Sequence, residues 1–212
     1  MFNLKPMNKC HDFSGTAPGI AGLVLALVLA LAGCAVSQPK DEPHRDTITP
    51  EKTEQVDSKL RDDFDEAMKS LEAGNLDKGI AQLNQLTQRA KTNTAPYINL
   101  AIAYQKQGNL GAAEEDLKKA LAINPDHPVA NNEYGLLYRR TGRFAEAKKA
   151  YERALEISPL FLPARKNLAI LCDLYLRDMD CALKNYQLYS QAVPDDKAVG
   201  IWIADLQKRL GR

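Results

Sequence analysis

The chain has 212 residues, of which 28 are Lys or Arg and 27 are Asp or Glu, so its formal net charge is only +1. Without a basic excess to neutralise phosphates, this composition argues against nucleic acid as a partner. A hydrophobic fraction of 45% is sufficient for a sizeable core in one or two domains. The N-terminal end differs sharply in composition from the middle of the chain.

The N-terminal segment has the features of an export signal. Lys5 and Lys9 lie in a weakly basic leader, and an apolar run extends from Ile20 to Gly33. As a helix this run would measure about 21 Å, which is short of the roughly 30 Å of a hydrocarbon core. A basic leader followed by a short apolar stretch that ends in small residues is typical of a cleaved signal. An uncleaved membrane helix is the alternative interpretation.

The apolar run ends at Leu31-Ala32-Gly33-Cys34, which resembles the lipobox of bacterial lipoproteins. The resemblance implies that residues 1–33 are removed and that Cys34 carries acyl chains. Several acyl chains on one residue hold a protein on a bilayer far more firmly than a single chain does. The next residue is Ala35 rather than Asp, which in lipoproteins of Gram-negative type resembles the default for transport to the outer membrane. We therefore expect a lipid anchor at Cys34 and a location on the periplasmic side of the outer membrane of a Gram-negative bacterium.

Residues 34–58 are predicted to form a lipidated N-terminus and a flexible tether. This stretch holds three prolines, many charges and almost no large apolar side chains. It cannot bury enough apolar surface to offset the entropy lost on ordering. A flexible coil of this length has an end-to-end distance of roughly 25–30 Å. The folded domain predicted over residues 59–212 can therefore lie away from the membrane surface.

A repeat with a period of 34 residues occupies the centre of the chain, where the stretch 99–127 aligns with 133–161. The aligned positions share a tyrosine, a glycine, two alanines and a proline: Tyr104 and Tyr138, Gly108 and Gly142, Ala113 and Ala147, Ala120 and Ala154, Pro125 and Pro159. Apolar residues within each unit recur at the spacing of one helix face, and Asn109 is a predicted N-cap. The pattern resembles the tetratricopeptide repeat (TPR), whose unit is two antiparallel helices.

This resemblance implies an all-α fold, a right-handed solenoid of TPR helix-turn-helix repeats. Two further units flank the central pair, so repeats are predicted at about 60–93, 94–127, 128–161 and 162–195. The first unit is degenerate and has Gly79 where an alanine is expected. The last unit requires one extra residue near positions 174–180. An apolar face on residues 196–210 predicts a helix that caps the open end of the stack.

Two cysteines remain in the predicted folded domain. Cys172 lies late in a first helix and Cys181 lies at the start of its partner helix. In an oxidising compartment they are a possible disulfide. The alternative is that Cys172 is a small buried apolar residue and that Cys181 takes the place of an alanine.

The sequence offers almost no catalytic chemistry. None of its three histidines has a Ser or Cys at the spacing of a known catalytic motif, and no two histidines have the spacing of a metal-binding pair. The sequence also has no Gly-rich phosphate loop. Runs of carboxylates such as Glu114-Glu115-Asp116 are typical of a solvated helix face. We therefore predict a protein that is not an enzyme and that has no cofactor and no metal site.

The TPR resemblance implies a partner-binding groove along the first helices of the repeats. The groove positions of the family correspond here to Ile98, Ile102, Lys106, Asn132, Leu136, Arg139, Arg140, Lys166 and Ile170. These residues predict an apolar floor with a basic flank, which suits a helix or extended peptide with apolar anchors and acidic flanks. The carboxylate clamp of chaperone-binding members is not matched, because apolar residues occupy the ninth places. The convex face and the terminal helix are rival surfaces.

These features predict a lipid-anchored scaffold that binds a protein partner. The first hypothesis is assembly of an envelope complex, since the chain resembles pilotin-type TPR lipoproteins that help type IV pilus secretins to assemble. The second hypothesis is an adaptor that recruits peptidoglycan enzymes or envelope proteases. The third is a ligand-binding or enzymatic module within an unusual repeat stack. Repeat stacks bind unrelated ligands with one backbone, so the resemblance determines the fold better than the partner.

Overall fold

The computed structural model describes residues 50–211, with side chains from residue 58 onward. The predicted signal and Cys34 lie outside the described residues. In the described part the chain forms nine α-helices and no strand. The helices are α1 Pro50–Glu72, α2 Leu76–Arg89, α3 Thr94–Gln107, α4 Leu110–Ile123, α5 Pro128–Arg140, α6 Phe144–Ile157, α7 Leu162–Leu171, α8 Met179–Ala192 and α9 Lys197–Arg209. The predicted all-α solenoid with a C-terminal capping helix is confirmed.

Consecutive helices pack in pairs, and the pairs stack. α1 packs on α2, α3 on α4, α5 on α6 and α7 on α8. The second helix of each pair also contacts the first helix of the next, and α9 covers α8 at the C-terminal end. The core is continuous along the stack because every pair buries apolar side chains against its neighbours, as expected of a repeat protein.

The turns within the pairs use a left-handed residue at a regular spacing. Gly74, Gly108 and Gly142 have φ angles of 81°, 82° and 77°, and they lie 34 residues apart. Glycine takes this conformation without the steric cost that a Cβ brings. In the fourth pair the left-handed residue is Arg177, with φ 54°, one position later than the period requires.

The extra residue of the fourth repeat is taken up by a π-helical turn. This turn spans Cys172–Leu176 and continues directly from α7. The backbone N–H of Asp178 then donates a hydrogen bond to the carbonyl of Cys172 at 2.9 Å, which closes the widened turn. Asp178 also caps α8, since its side chain accepts a hydrogen bond from the backbone N–H of Cys181. The repeat thus keeps its helix pairing despite the insertion.

Helices within a pair approach closely at small residues. A Cβ added at Gly135 in α5 would lie 2.5 Å from the ring of Tyr151 in α6. A Cβ at Gly79 in α2 would overlap the side chain of Leu71 in α1. The family pattern has an alanine at position 79, but here Leu71 fills the space that the alanine methyl group would need. This explains why the residue is glycine.

The closing helix α9 covers the last pair with the apolar face that the sequence predicts. Val199 and Leu206 are fully buried, and the ring of Trp202 lies 5.4 Å from that of Tyr186. Asp196 caps this helix by accepting a hydrogen bond from the backbone N–H of Val199. The open end of the core is thereby removed from water.

Helix α1 begins at Pro50, inside the stretch 34–58 that the sequence predicts to be a tether. Proline at the first helical position is pre-organised for a helix, and the following Glu51, Lys52 and Glu54 are good helix formers. Local propensity thus extends the helix beyond the part of the chain that the repeat pattern covers.

Replacement of Gly135 by alanine tests the close approach of α5 and α6. We expect Gly135→Ala to lower the free energy of unfolding by roughly 1–3 kcal/mol, because the new methyl group overlaps the Tyr151 ring. The matched control is Gly111→Ala in α4, where no atom lies within 4 Å, and this change should raise stability by about 0.5–1 kcal/mol. Urea unfolding of both variants measures the difference. Equal effects of the two substitutions would contradict the packing argument.

Candidate protein-binding groove

The first helices α3, α5 and α7 line one side of the stack. α3 packs directly against α5, and α5 packs against α7. The second helices α4, α6 and α8 make at most sparse contacts with one another. Because the first helices lie closer together than the second helices do, they line the inner, concave surface of the solenoid.

Apolar side chains form the floor of this surface. Ile102, Leu136 and Ile170 lie one to each first helix, and each is half-buried. Such side chains retain surface that a partner can cover. Ile98 differs from them, because it is only 4% exposed and packs against Ala120 and Ala130 in the core. It supports the floor rather than contributing to its exposed surface.

The predicted basic flank is partly engaged within the chain. Nη1 of Arg140 donates a hydrogen bond to the carbonyl of Gln105 at 2.6 Å. Nζ of Lys166 pairs with Asp196 at 2.7 Å and lies 5.1 Å from the centre of the Tyr189 ring.

Arg139 and Lys106 complete the predicted flank. The guanidinium of Arg139 lies 5.9 Å from the centre of the Tyr175 ring, and this side chain is half-buried. Lys106 is exposed. Of these four flank residues, Lys166 has its charge paired within the chain, whereas Arg140 keeps a positive charge that the neutral Gln105 carbonyl does not cancel.

A row of polar side chains crosses the three first helices beside the apolar floor. Nε2 of Gln105 donates to Oε2 of Glu133 at 3.4 Å, and Nδ2 of Asn132 donates to Oε1 of Glu133 at 3.1 Å. Nδ2 of Asn167 in turn donates to Oδ1 of Asn132 at 2.9 Å. We call these four residues the amide row; its hydrogen bonds converge on the carboxylate of Glu133.

Glu133 is the electrostatic centre of the row. Burial raises the pKa of Glu133 to about 7, against the hydrogen bonds from Asn132 and Gln105, which lower it. In the described part of the chain no ion pair includes this carboxylate. The fully buried hydroxyl of Tyr151, which interacts electrostatically with Glu133, has no hydrogen-bond partner. A buried carboxyl group without a nearby cation holds its proton more tightly than usual, even where amide donors offset part of the burial cost.

Asn132 is among the residues predicted from the sequence to line the groove, whereas Glu133 is not. The repeat period offers a signal that could have found it. At an offset of 34 residues, Glu133 aligns with Asn99 on one side and Asn167 on the other, so a carboxylate stands between two amides. The groups around the Glu133 carboxylate are neutral, and only the packing of α3, α5 and α6 reveals this.

The structure joins Cys172 and Cys181 by a disulfide, with an S–S distance of 2.03 Å and a Cα–Cα distance of 5.9 Å. The bond links the π-helical turn to the first turn of α8. Asp178 and the two sulfur atoms lie within 4.8 Å of one another. Both sulfurs are consumed by the disulfide, so this group offers no thiolate to a metal ion.

Within residues 50–211, no helix combines the length and apolar character needed to cross a membrane. The apolar run Ile20–Gly33 lies outside the described residues.

Residues 91–160 match the family model described as "Tetratricopeptide repeat". A probable UDP-N-acetylglucosamine–peptide N-acetylglucosaminyltransferase SPINDLY of Solanum lycopersicum is 38% identical over 74 residues, which cover 35% of this chain and 8% of that protein. Tetratricopeptide repeat protein 16 of Homo sapiens is 31% identical over 81 residues, which cover 38% of this chain and 9% of that protein. The chain thus spans about a tenth or less of the length of these curated relatives.

Solved structures share the fold over a larger part of the chain. The structure reported as a functional characterisation of PilF from Pseudomonas aeruginosa superposes with a TM-score of 0.67 and 19% identity, covering 73% of this chain and 70% of that one. Naa15/Naa10 bound to HypK-THB gives a TM-score of 0.60 at 23% identity, covering 72% and 23%. At these identities the likeness concerns the fold alone. The predicted TPR architecture is confirmed.

The amide row predicts a pH-dependent stability. In the folded protein the pKa of Glu133 is about 7 instead of 4.5, so its contribution to stability is complete below about pH 4.5 and is lost as pH rises to about 7. Relative to Glu133→Gln, the wild type should lose up to about 3 kcal/mol of unfolding free energy over this range.

Urea unfolding at several pH values measures this difference. The control is Glu152→Gln, which alters an exposed glutamate on α6 and should give a pH profile parallel to that of the wild type. A wild-type profile that also runs parallel to that of Glu133→Gln would contradict the raised pKa.

Proposed function

We propose that this protein is a lipoprotein of the outer membrane whose TPR solenoid binds a protein segment in the groove of α3, α5 and α7. The binding would serve the assembly of an envelope complex, such as a type IV pilus or its secretin. The lipid on Cys34 would hold the complex at the periplasmic face of the membrane. No catalytic step is part of this role.

The observation that carries the binding role is the apolar floor of the groove. Ile102, Leu136 and Ile170 are half-buried on three adjacent helices, so a single helix or extended segment can contact all three. TPR proteins bind protein partners, and in one structural neighbour Naa15/Naa10 is bound to HypK-THB. The groove is the surface of this chain that best fits such a segment.

The membrane and pilus parts of the proposal rest on the sequence. The lipobox at Cys34 supports export and lipidation, and the combination of a lipobox with TPR units resembles pilotin-type lipoproteins. PilF of Pseudomonas aeruginosa shares the fold. An adaptor for peptidoglycan enzymes or envelope proteases would use the same groove with a different partner.

A second surface competes with the groove as the contact site. A depression of about 500 Å³ lies between α6, α7 and α8, with Lys148, Glu152 and Leu168 in its lining. It lies on the side of the second helices. It has several charged side chains in its lining, whereas the groove has an apolar floor that a peptide anchor can cover.

Crosslinking in cells, followed by mass spectrometry, tests the proposed partner. Crosslinks from Lys106 to a secretin or pilus component would support the assembly role. Crosslinks to peptidoglycan enzymes would favour the adaptor. Crosslinks that form only from the second-helix side, for example from Lys184, would refute the groove.

A double substitution in the groove should abolish capture of the partner without unfolding the protein. Leu136→Asp with Arg139→Glu places negative charge on the floor and the flank, while both side chains are only half-buried. We expect capture to fall by at least about tenfold, because apolar anchors near the centre of an interface carry most of its binding energy.

Circular dichroism should give unchanged helicity for the double variant. The control is Lys149→Glu on the exposed face of α6, which should capture the partner normally. Capture that survives the double substitution would refute the groove.

The anchor is tested separately from the groove. Cys34→Ala removes the acceptor of the acyl chains, so the mature protein should move from the membrane fraction to the soluble fraction of a cell lysate. The melting temperature should not change. The mass of the processed protein must be checked, because a retained signal helix would also hold the variant on the membrane. A correctly processed Cys34→Ala protein that stays in the membrane fraction would refute the lipid anchor.

A further inference from the structure

Within residues 58–211, the charges around the groove leave one carboxylate, that of Glu133, without a counter-ion. Lys166 is paired with Asp196 at 2.7 Å, and Asp173 is paired with Arg209 at 3.2 Å. Arg140 is held by the carbonyl of Gln105. Glu133 receives hydrogen bonds only from the neutral amides of Gln105 and Asn132.

The carboxylate of Glu133 also has acceptor capacity to spare. An ionised carboxylate offers about four lone-pair positions on its two oxygens. Oε1 accepts one hydrogen bond from Asn132, and Oε2 accepts one from Gln105. About two positions therefore remain free, which is the number that a bidentate guanidinium requires.

Among the side chains that the structure describes, those that interact with Glu133 supply no positive charge. Gln105 approaches from α3 and Asn132 from α5 itself, while Tyr151 of α6 interacts with it electrostatically. Burial of an ionised carboxylate among neutral groups is costly unless a cation pairs with it. A cation brought by a partner would remove that cost and would gain a charge-assisted hydrogen bond at the same time.

We propose that the groove recognises a lysine or arginine side chain of the bound segment, which pairs with Glu133 beside the apolar floor. This inference rests on the proposed binding of a protein segment in the groove. Leu136 lies three residues after Glu133 on α5, so the cation and an apolar anchor of one segment would contact the same face of that helix.

The partner chemistry at Glu133 differs from the one that the sequence predicts for the flank. The basic flank predicts acidic residues on the bound segment; Lys166 is already paired with Asp196, while Arg140 donates to a neutral carbonyl and keeps its charge. An acidic side chain at the position of Glu133 would meet a second carboxylate there. A segment with one cation between apolar residues avoids this repulsion and fills the floor.

A displayed library of short random peptides tests the inference. The full-length protein is purified in detergent, and peptides are selected on the wild type, on Glu133→Gln and on Glu146→Gln, an exposed residue of α6, as a surface control. Wild type and Glu146→Gln should enrich the same peptides, each with one Lys or Arg flanked by apolar residues. Glu133→Gln should not enrich the cation.

The affinity of one selected peptide then measures the pairing. Its Lys or Arg is replaced by Gln, and both peptides are titrated against wild type and Glu133→Gln in a double-mutant cycle. The replacement should weaken binding to the wild type by about tenfold or more and binding to Glu133→Gln by less than about twofold. Near pH 7 the cationic peptide should also release protons from the wild type alone, because it replaces the proton on Glu133.

Two negative results have different meanings. A peptide binds the groove if Leu136→Asp abolishes its binding. If such peptides lack a cation, or if their cation shows no coupling to Glu133, the inference is overturned and the proposed function is left intact. If no peptide is enriched, or if the enriched peptides bind Leu136→Asp as well as the wild type, binding in the groove is refuted. The inference is then refuted as well.

Discussion

In the third helix pair, the ring of Tyr151 lies so close to Gly135 that a Cβ at that position would come within 2.5 Å of it. The fit sets the distance between α5 and α6, because a packed interior leaves no room to absorb an added methyl group. The same side of α5 is thereby held against α6, and the other side remains turned toward α3 and α7. The first pair closes in the same way, where Gly79 of α2 meets Leu71 of α1. A solenoid transmits this constraint from one pair to the next, since each pair contacts only its neighbours.

The groove combines two kinds of surface with different roles. The floor of Ile102, Leu136 and Ile170 is apolar and half-buried, so it offers a partner area to cover but does little to fix the partner's orientation. The hydrogen-bonding groups of the amide row can fix that orientation. Its hydrogen bonds run from Asn167 through Asn132 to Glu133, and they hold the carboxylate in one position at a fixed distance from the floor. A polar network that is satisfied except for its charge favours a partner that supplies that charge.

The C-terminal repeat departs from the regular pattern and is reinforced at the same place. A π-helical turn takes up the extra residue, and Arg177 adopts the left-handed conformation that glycine adopts in the other pairs. The disulfide between Cys172 and Cys181 spans this turn, and α9 closes the core beyond it. A disulfide reduces the conformational freedom of the unfolded chain, so it offsets the cost of a turn built without glycine. The repeat with the irregular turn is thus also the one that the disulfide stabilises.

The sequence by itself determined the repeat period, the positions of the helices, the turn glycines, the cap at Asn109 and the closing helix. Each of these depends on residues that are close in the chain, and the period of 34 repeats the same local signals. The groove residues remain a prediction from the TPR resemblance. Helix α1 begins at Pro50, inside the predicted tether, because the residues from there onward form a helix by propensity and not by the repeat pattern.

Only the tertiary structure decided the electrostatics of the groove. Lys166 finds Asp196 at 30 residues' separation, and Arg140 finds the carbonyl of Gln105 at 35. Glu133 is left among neutral amides from α3 and α5. A residue's type fixes the charge it can carry. Whether that charge is free, paired or neutralised depends on burial and on neighbours distant in the chain, which spacing along the sequence does not reveal.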